Sequence, residues 1–237
     1  MKNDTAEKNL SAETEHRLEA MILSGQLKIG EQLPTERELA EAMGVSKGVI
    51  HTGIASLSRK GFVRVAPRHG VYVADYIKNG TLDVLNTIAS YSDGNIDGDL
   101  ARSIAWTRFA LEYLPVYGLA VSHTPEQINK LNMMLRDMRM AIRSGKVKTS
   151  RELAGRIQEF FLARCVMSGN MVLPVIVNAS SEVSVLLTEK WIDKVGFDAA
   201  LTGLERTMLR VTMGDGGGAV ASLKHNISSA IDALDVK

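Results

Sequence analysis

The 237-residue sequence has little of what disulfide scaffolds, Cys-rich zinc sites and membrane spans require. Its one cysteine, Cys165, cannot close an intrachain disulfide or build a Cys-rich zinc site, and this fits a reducing compartment such as the cytoplasm. No stretch reaches the roughly 18 consecutive apolar residues that a transmembrane helix needs. The first residues lack the apolar segment of a secretory signal peptide. We therefore expect a cytoplasmic protein that does not associate with membranes.

Charge of one sign is also not in excess. The chain has 28 Lys and Arg against 27 Asp and Glu, so its formal net charge of +1 excludes a global basic field for nucleic acid. Any such surface must be local. The hydrophobic content of 45% is enough for a core, which excludes a disordered or collagen-like chain, and the length suits one large domain or two ordinary ones.

The pattern of residues 8–76 predicts three short helices followed by a hairpin. Thr35 and Glu38 are spaced as a capping box, Ser46 is a typical N-cap, and Gly61 is placed to end the third helix. After Gly61 the period changes to short β-branched segments that are joined by a Pro-Arg-His-Gly turn. Three helices and a hairpin predict a winged helix-turn-helix, which reads DNA with the helix after the turn.

The basic residues of this domain are concentrated in its second half. Between Met43 and Ala74 the sequence has five Lys or Arg, two His and no Asp or Glu, whereas residues 1–42 have five basic and nine acidic residues. A solvated basic face is the ordinary interpretation of such a run. Its coincidence with the predicted recognition helix and wing favours a DNA-binding surface.

From Thr81 onward the sequence has only helical signals, and the second domain is predicted over residues 77–237. We predict a second, all-helical antiparallel bundle of six to seven helices, so that the fold class is mainly α. A single helix is expected over Val172–Lys190, a kink at Pro115, and a flexible connection at the glycine run that follows Gly214.

The segment LPTERELAEAMGVSKGVIHTGIASLSRKGFVRV, together with PRHGVYVADY, resembles the GntR family of bacterial regulators. The family's pattern Leu-Pro-Ser/Thr-Glu-Arg-Glu-Leu-Ala and its Gly-Val-Ser are both present. The resemblance implies DNA contacts at Thr35, Arg37, Ser46, Lys47, Gly48, His51, His69 and Gly70. The basic pattern adds Arg59, Lys60 and Arg64 as phosphate contacts.

Two positions of the recognition helix depart from the family. Lys47 and His51 stand where the family usually or often has Arg, which implies weaker or more pH-sensitive base reading. Gly48 and Gly53 each cost the helix about 1 kcal/mol relative to Ala, so we expect a helix that becomes firmer on DNA.

The second half resembles, more weakly, the effector-binding bundle of the FadR subfamily within GntR. Many members bind a metal through a His at the position of Phe161, so this resemblance implies a branch without metal or other cofactor. Long-chain acyl-CoA or fatty acid is the leading effector and a small organic acid the alternative. Effector contacts are predicted at Arg108, Glu112, Asn178, Trp191 and His225. The ordinary interpretation of Arg108 and Glu112 is an i,i+4 pair one helical turn apart, and the alternative is that Arg108 anchors a ligand carboxylate or phosphate.

No catalytic constellation is present: we find no nucleophile elbow, paired catalytic carboxylates or metal-protease motif. Asp93–Asp99 begins like a calcium loop, but Ile104 occupies the position that requires Glu. The sequence therefore predicts a homodimeric, metabolite-responsive transcriptional repressor that binds a pseudo-palindromic operator. The alternatives are an effector-independent DNA-binding protein and an enzyme whose winged helix only mediates association.

Overall fold

The computed structural model describes residues 2–91 and 98–233 and divides the chain into two compact units, Met1–Asp93 and Gly94–Lys237. Residues 93–97 of the possible calcium loop lie outside the described residues. The first compact unit ends at Asp93, whereas the sequence predicts a domain boundary between residues 76 and 77. That boundary stays a prediction.

The first unit is a three-helix core with a two-stranded hairpin. Its elements are α1 (Lys2–Leu23), α2 (Glu36–Met43), α3 (Lys47–Lys60), β1 (Val63–Ala66), β2 (Gly70–Val73), α4 (Tyr76–Asn79) and α5 (Leu82–Tyr91). The strands are antiparallel, with Val63 opposite Val73 and Ala66 opposite Gly70. The helices and the hairpin confirm the predicted winged helix-turn-helix.

Local signals set the ends of α2 and α3. The Thr35 hydroxyl and the Glu38 side chain form the complete capping box at the start of α2, and Gly44 ends this helix with φ of 69°. Ser46 Oγ accepts a hydrogen bond from Val49 N and caps α3, which Gly61 ends with φ of 90°. These caps are the predicted ones.

A continuous apolar core holds the first unit together. Leu18 of α1, Ile50 and Leu57 of α3, and Phe62 are fully buried in it. Val84 of α5 belongs to the same core, so α5 packs with the winged helix. This packing supports α3 on one side and leaves Lys47, Gly48 and His51 exposed on the other.

The described part of the second unit contains seven helices. They are α6 (Gly98–Val121), α7 (Pro125–Arg143), α8 (Ser150–Met167), α9 (Leu173–Ala179), α10 (Ser181–Val195), α11 (Phe197–Thr212) and α12 (Gly216–Ala233). The mainly α fold class is confirmed. No helix within residues 2–91 and 98–233 is long and apolar enough to cross a membrane.

Two details of this unit correct the sequence analysis. The predicted helix Val172–Lys190 is two helices, because the backbone of Ser180 (φ −105°, ψ 17°) leaves the helical conformation between α9 and α10. The glycines after Gly214 are not a flexible connection. Asp215 Oδ1 accepts a hydrogen bond from Gly218 N at 2.8 Å and caps α12, so three glycines form its first turn.

Candidate nucleic-acid interface and buried arginine cluster

The recognition helix α3 presents one exposed face. Lys47 and His51 lie one helical turn apart, and their side chains are 71% and 73% exposed. Gly48 is exposed beside them, and Ser46 begins the helix. The structure thus brings four of the predicted contact positions together at the N-terminal half of α3, where base-reading residues of such helices lie.

Glu36, which the sequence analysis did not single out, lies against this face. Its Oε1 is 2.8 Å from His51 Nδ1 and its Oε2 is 3.7 Å from Lys47 Nζ. Glu36 is the first residue of α2, and the tight turn between α2 and α3 brings it to the recognition helix. The positive charge of the five Lys and Arg between Met43 and Ala74 is therefore partly neutralised by a carboxylate from an earlier part of the sequence.

Thr35 and Arg37 are the neighbours of Glu36 in the sequence, and their side chains differ in how far they are already bonded within the protein. The Arg37 side chain is 82% exposed, with only a 3.9 Å pair to Glu41, and is available to a phosphate or a base. The Thr35 hydroxyl is already used in the cap, because it donates to Glu38 Oε2 at 2.8 Å and accepts from Glu38 N. That cap lowers the pKa of Glu38 through the backbone and side-chain hydrogen bonds of Thr35.

The wing is the turn between β1 and β2. The carbonyl of His69 accepts hydrogen bonds from Gln32 Nε2 at 2.9 Å and from the Tyr72 hydroxyl at 3.1 Å. Gly70 has φ of 110°, and a Cβ there would collide with the Gln32 side chain. The guanidinium of Arg64 lies over the Tyr72 ring, 5.4 Å from its centroid. The exposed His69 imidazole thus sits on a well-supported tip.

Arg59 and Lys60 end α3 but have different surroundings. Arg59 is exposed and donates to Ser56 Oγ at 3.3 Å. Lys60 Nζ lies 2.7 Å from both Glu15 Oε1 and Glu19 Oε1 of α1. Burial alone would lower the pKa of Lys60, but its hydrogen bonds to these carboxylates outweigh it and raise the pKa. Lys60 therefore has a structural role that the sequence analysis missed.

In the second unit, Arg108 and Glu112 belong to a buried charge cluster. Arg108 Nε donates to Glu112 Oε1 at 2.7 Å, and the other Glu112 oxygen accepts from Arg164 Nη2. Arg108 Nη1 also donates to Ser184 Oγ and Thr188 Oγ1 at 2.8 and 2.7 Å. The ordinary i,i+4 pair is thus present, but Arg164 of α8 enlarges it.

The cluster contains one positive charge in excess. Burial alone would raise the pKa of Glu112, but the charges of Arg164 and Arg108 outweigh it and lower the pKa, so Glu112 is ionised at neutral pH. Two guanidinium groups therefore face one carboxylate. Arg164 is 1% exposed, and its Nε is buried with no hydrogen-bond partner in the part of the chain that the structure describes. An unpaired buried donor of this kind costs free energy in the folded chain.

The residues around Phe161 do not fit the metal of the FadR subfamily. The Phe161 ring is buried, and the guanidinium carbons of Arg108 and Arg164 lie 5.2 and 5.9 Å from its centroid. A divalent cation there would meet two positive charges and no imidazole. Residues 2–91 and 98–233 contain no group of three His, Cys, Asp or Glu that could hold a metal.

The other predicted effector contacts lie apart from the cluster's hydrogen bonds. Asn178 of α9 and His225 of α12 are exposed. Trp191 is half-buried against the main core of the bundle, and its indole Nε1 is a buried donor without a partner within residues 2–91 and 98–233. Arg164 was missed because an arginine in a helix gives no sequence signal of full burial.

Comparison with known proteins agrees with the winged helix. Residues 10–73 match the model of the family described as "Bacterial regulatory proteins, gntR family". The HTH-type transcriptional regulator Mce2R of Mycobacterium tuberculosis is 34% identical over 87 residues, 37% of this chain and 36% of that protein. The uncharacterized HTH-type transcriptional regulator YcbG of Bacillus subtilis is 30% identical over 139 residues, 58% of this chain and 56% of that protein.

These alignments span from about a third to just over half of the relatives' length. The winged helix of residues 10–73 is thus similar to the GntR family, and both relatives are named as regulators. A solved structure described as "Lar controls the expression of the Listeria monocytogenes agr system and mediates virulence" covers 94% of this chain and 95% of that chain. Its TM-score is 0.62 at 15% identity, which is a likeness of fold alone.

Proposed function

We propose that this protein is a DNA-binding transcriptional regulator, and specifically a repressor, whose helix α3 enters the major groove of an operator. The observation that carries this proposal is the exposed α3 face with Lys47 and His51, next to the free Arg37 side chain. The GntR-type domain and the named regulators among its relatives support it.

The proposed contacts divide by chemistry. Arg37, Lys47, Arg59 and Arg64 are exposed cations for phosphates, whereas His51 and the backbone at Gly48 face bases. His69 and Gly70 of the wing reach an adjacent groove. Lys60 contributes least, because two carboxylates already hold its ammonium group.

Two copies of the chain bind together in this proposal, since a helix-turn-helix reads one half-site and a dimer reads two in opposite orientation. The operator is then a pseudo-palindrome with half-sites about one helical turn apart. Cations from two subunits predict that the logarithm of affinity falls with the logarithm of salt concentration with a slope of roughly −5 to −8.

The experiment is selection of a preferred duplex from a random library with the full chain, followed by fluorescence anisotropy at several salt concentrations. Arg37→Ala is expected to weaken binding about 10-fold or more, because a free guanidinium is lost from the interface. Arg206→Ala, at an exposed arginine of α11, is the matched control and should bind as the wild type does. A slope near zero, or equal loss in both variants, would contradict the proposal.

The second unit, in this proposal, binds an acidic metabolite that changes DNA affinity. The excess positive charge at Arg108, Glu112 and Arg164 supports an acid of either kind considered from the sequence, a fatty acid or acyl-CoA, or a small organic acid. Such a ligand regulates only if it binds the two DNA-affinity states unequally.

Thermal melting against acyl-CoAs, small carboxylates and divalent metals tests this effector site. A ligand at about 100-fold over its Kd adds about 2.7 kcal/mol to the stability of the folded state. Arg108→Gln should abolish that shift, whereas Arg151→Gln, at a 63% exposed arginine of α8, should retain it. A shift that survives in Arg108→Gln, or one that only metals produce, would contradict the site.

A further inference from the structure

A carboxylate from helix α2 holds the ring of His51. His51 Nδ1 lies 2.8 Å from Glu36 Oε1, and the Glu36 side chain is only 27% exposed. The His51 side chain is 73% exposed, so the Nε2 edge of its ring remains accessible. The other oxygen of the same carboxylate lies 3.7 Å from the Lys47 ammonium.

This contact decides which ring nitrogen carries the proton. An ionised carboxylate can only accept a hydrogen bond, so Nδ1 of His51 must be the donor. In a neutral imidazole the other nitrogen is then an acceptor. Glu36 therefore makes the accessible Nε2 edge of neutral His51 a hydrogen-bond acceptor.

An acceptor and a donor read different bases in the major groove. Adenine N6 and cytosine N4 offer donors there, whereas guanine O6 and N7 and thymine O4 offer acceptors. We infer that Glu36 is a positioning residue for base recognition, which fixes His51 as an acceptor and directs it to the exocyclic amine of an adenine or a cytosine. An arginine in place of His51 would donate and select guanine. This inference rests on the proposed DNA-binding function.

Through its negative charge, Glu36 also weakens the attraction of this surface for DNA. It neutralises part of the charge of Lys47 and lies on the DNA-facing side of α3, where it repels phosphate. Its removal should strengthen binding to unrelated DNA while weakening discrimination at the base that His51 contacts. A variant with a damaged fold would lose both its affinity for unrelated DNA and its discrimination at that base. The two readouts therefore separate a positioning role from a structural one.

The first arm of the test does not need DNA. Long-range ¹H–¹⁵N spectra of the full chain labelled with ¹⁵N-histidine report the tautomer of each of the five histidines, and His51→Gln assigns the His51 signals. We expect His51 to carry its proton on Nδ1 in the wild type. The amide that Glu36→Gln introduces can donate or accept, so this preference should be lost there and kept in Glu41→Gln, which removes a carboxylate of the same helix. An Nε2-protonated His51 in the wild type would overturn the inference.

The second arm uses the duplex that selection identifies. The exocyclic amine is removed from each adenine and cytosine in turn, and affinities are compared among wild type, His51→Ala and Glu36→Gln. We expect one position in each half-site at which removal of the amine lowers the DNA affinity of the wild type about fivefold and leaves that of His51→Ala unchanged. In Glu36→Gln this penalty should fall below about twofold.

Two other results would overturn the base assignment. A penalty that Glu36→Gln retains would show that Glu36 does not position His51. A His51-dependent penalty only on 7-deazapurines, which lack the N7 acceptor, would show that His51 donates. If the wild type selected no duplex, the proposed function would fail together with the base assignment, whereas the tautomer measurement would still decide the role of Glu36.

Discussion

Lys60 Nζ lies 2.7 Å from Glu19 Oε1 and thereby ties the C-terminal end of the recognition helix to α1. Glu19 is 1% exposed, and this ammonium and His16 Nδ1, which lies 3.1 Å from Glu19 Oε2, are the groups that compensate its buried carboxylate. Glu15 accepts from the same ammonium and from Ser56 Oγ. The end of α3 is therefore held by charge as well as by apolar packing.

Lys60→Met should lower the free energy of unfolding of the first unit by about 1.5–3 kcal/mol, because it removes charge-assisted hydrogen bonds and leaves the buried Glu19 carboxylate with His16 Nδ1, 3.1 Å from its Oε2, but without the ammonium. Lys47→Met, at an exposed lysine of the same helix, should change stability by less than about 0.5 kcal/mol. Urea unfolding followed by helical circular dichroism measures both.

The same pair of variants tests the DNA interface. Lys47→Met should reduce the salt slope by about 1 per subunit, and Lys60→Met should leave the slope nearly unchanged once the protein is folded. If Lys60→Met reduced the salt slope and Lys47→Met did not, Lys60 would be a phosphate contact.

Glu112→Gln should destabilise the second unit by about 3–5 kcal/mol near pH 7, because it leaves two buried guanidiniums without their carboxylate. The pKa of Glu112 is lowered in the folded state, so its stabilising effect is complete above the unfolded-state pKa and is lost as pH falls through the folded one. The difference between wild type and variant should therefore shrink at about pH 3.5.

Tryptophan fluorescence suits this measurement, since Trp106 and Trp191 both belong to the second unit. Glu159→Gln, at an exposed carboxylate of α8, is the control and should cost less than about 0.5 kcal/mol. A difference between Glu112→Gln and wild type that did not depend on pH would contradict the assigned ionisation.

Gly53→Ala should stabilise the first unit by up to about 1 kcal/mol, because alanine is the better helix former. A Cβ at this buried position would meet Leu18 Cδ1 at 3.8 Å and Thr14 Cγ2 at 3.9 Å, which are ordinary contacts with α1. DNA affinity should be kept, since this side of α3 faces the core.

Gly48→Ala is the comparison on the exposed face of α3. Its Cβ would meet Ser46 Oγ at 3.8 Å, so the folded protein should gain similar stability. Weaker DNA binding by this variant alone would indicate that the backbone approaches DNA at Gly48. Equal DNA affinity of Gly48→Ala and Gly53→Ala would show that Gly48 does not contact DNA.

Cys165 should be unreactive towards alkylating reagents in the folded protein. Its side chain is fully buried, and burial raises the pKa of the thiol to about 11. Reaction with iodoacetamide at neutral pH should be at least about 100-fold slower than in denaturant, because the thiolate is the reacting species. Fast labelling of the native chain would indicate that α8 opens readily.

The sequence by itself determined the boundaries of α2 and α3, where the caps are local. Thr35 with Glu38, and Ser46, cap the helices that their spacing predicts, because a capping hydrogen bond joins residues only three apart. The change of period after Gly61 likewise predicted the hairpin. These features depend on neighbours in the chain and not on the packing of distant segments.

Tertiary structure decided the partners of the charged residues. Glu36 meets His51 across 15 positions, Lys60 meets Glu19 across 41, and Arg164 meets Glu112 across 52. Counting charges along the chain treats Lys47 and Lys60 as equivalent cations and leaves Arg164 unnoticed. The physical reason is that an ion pair depends on distance in space and on burial, and both are set when helices pack against one another.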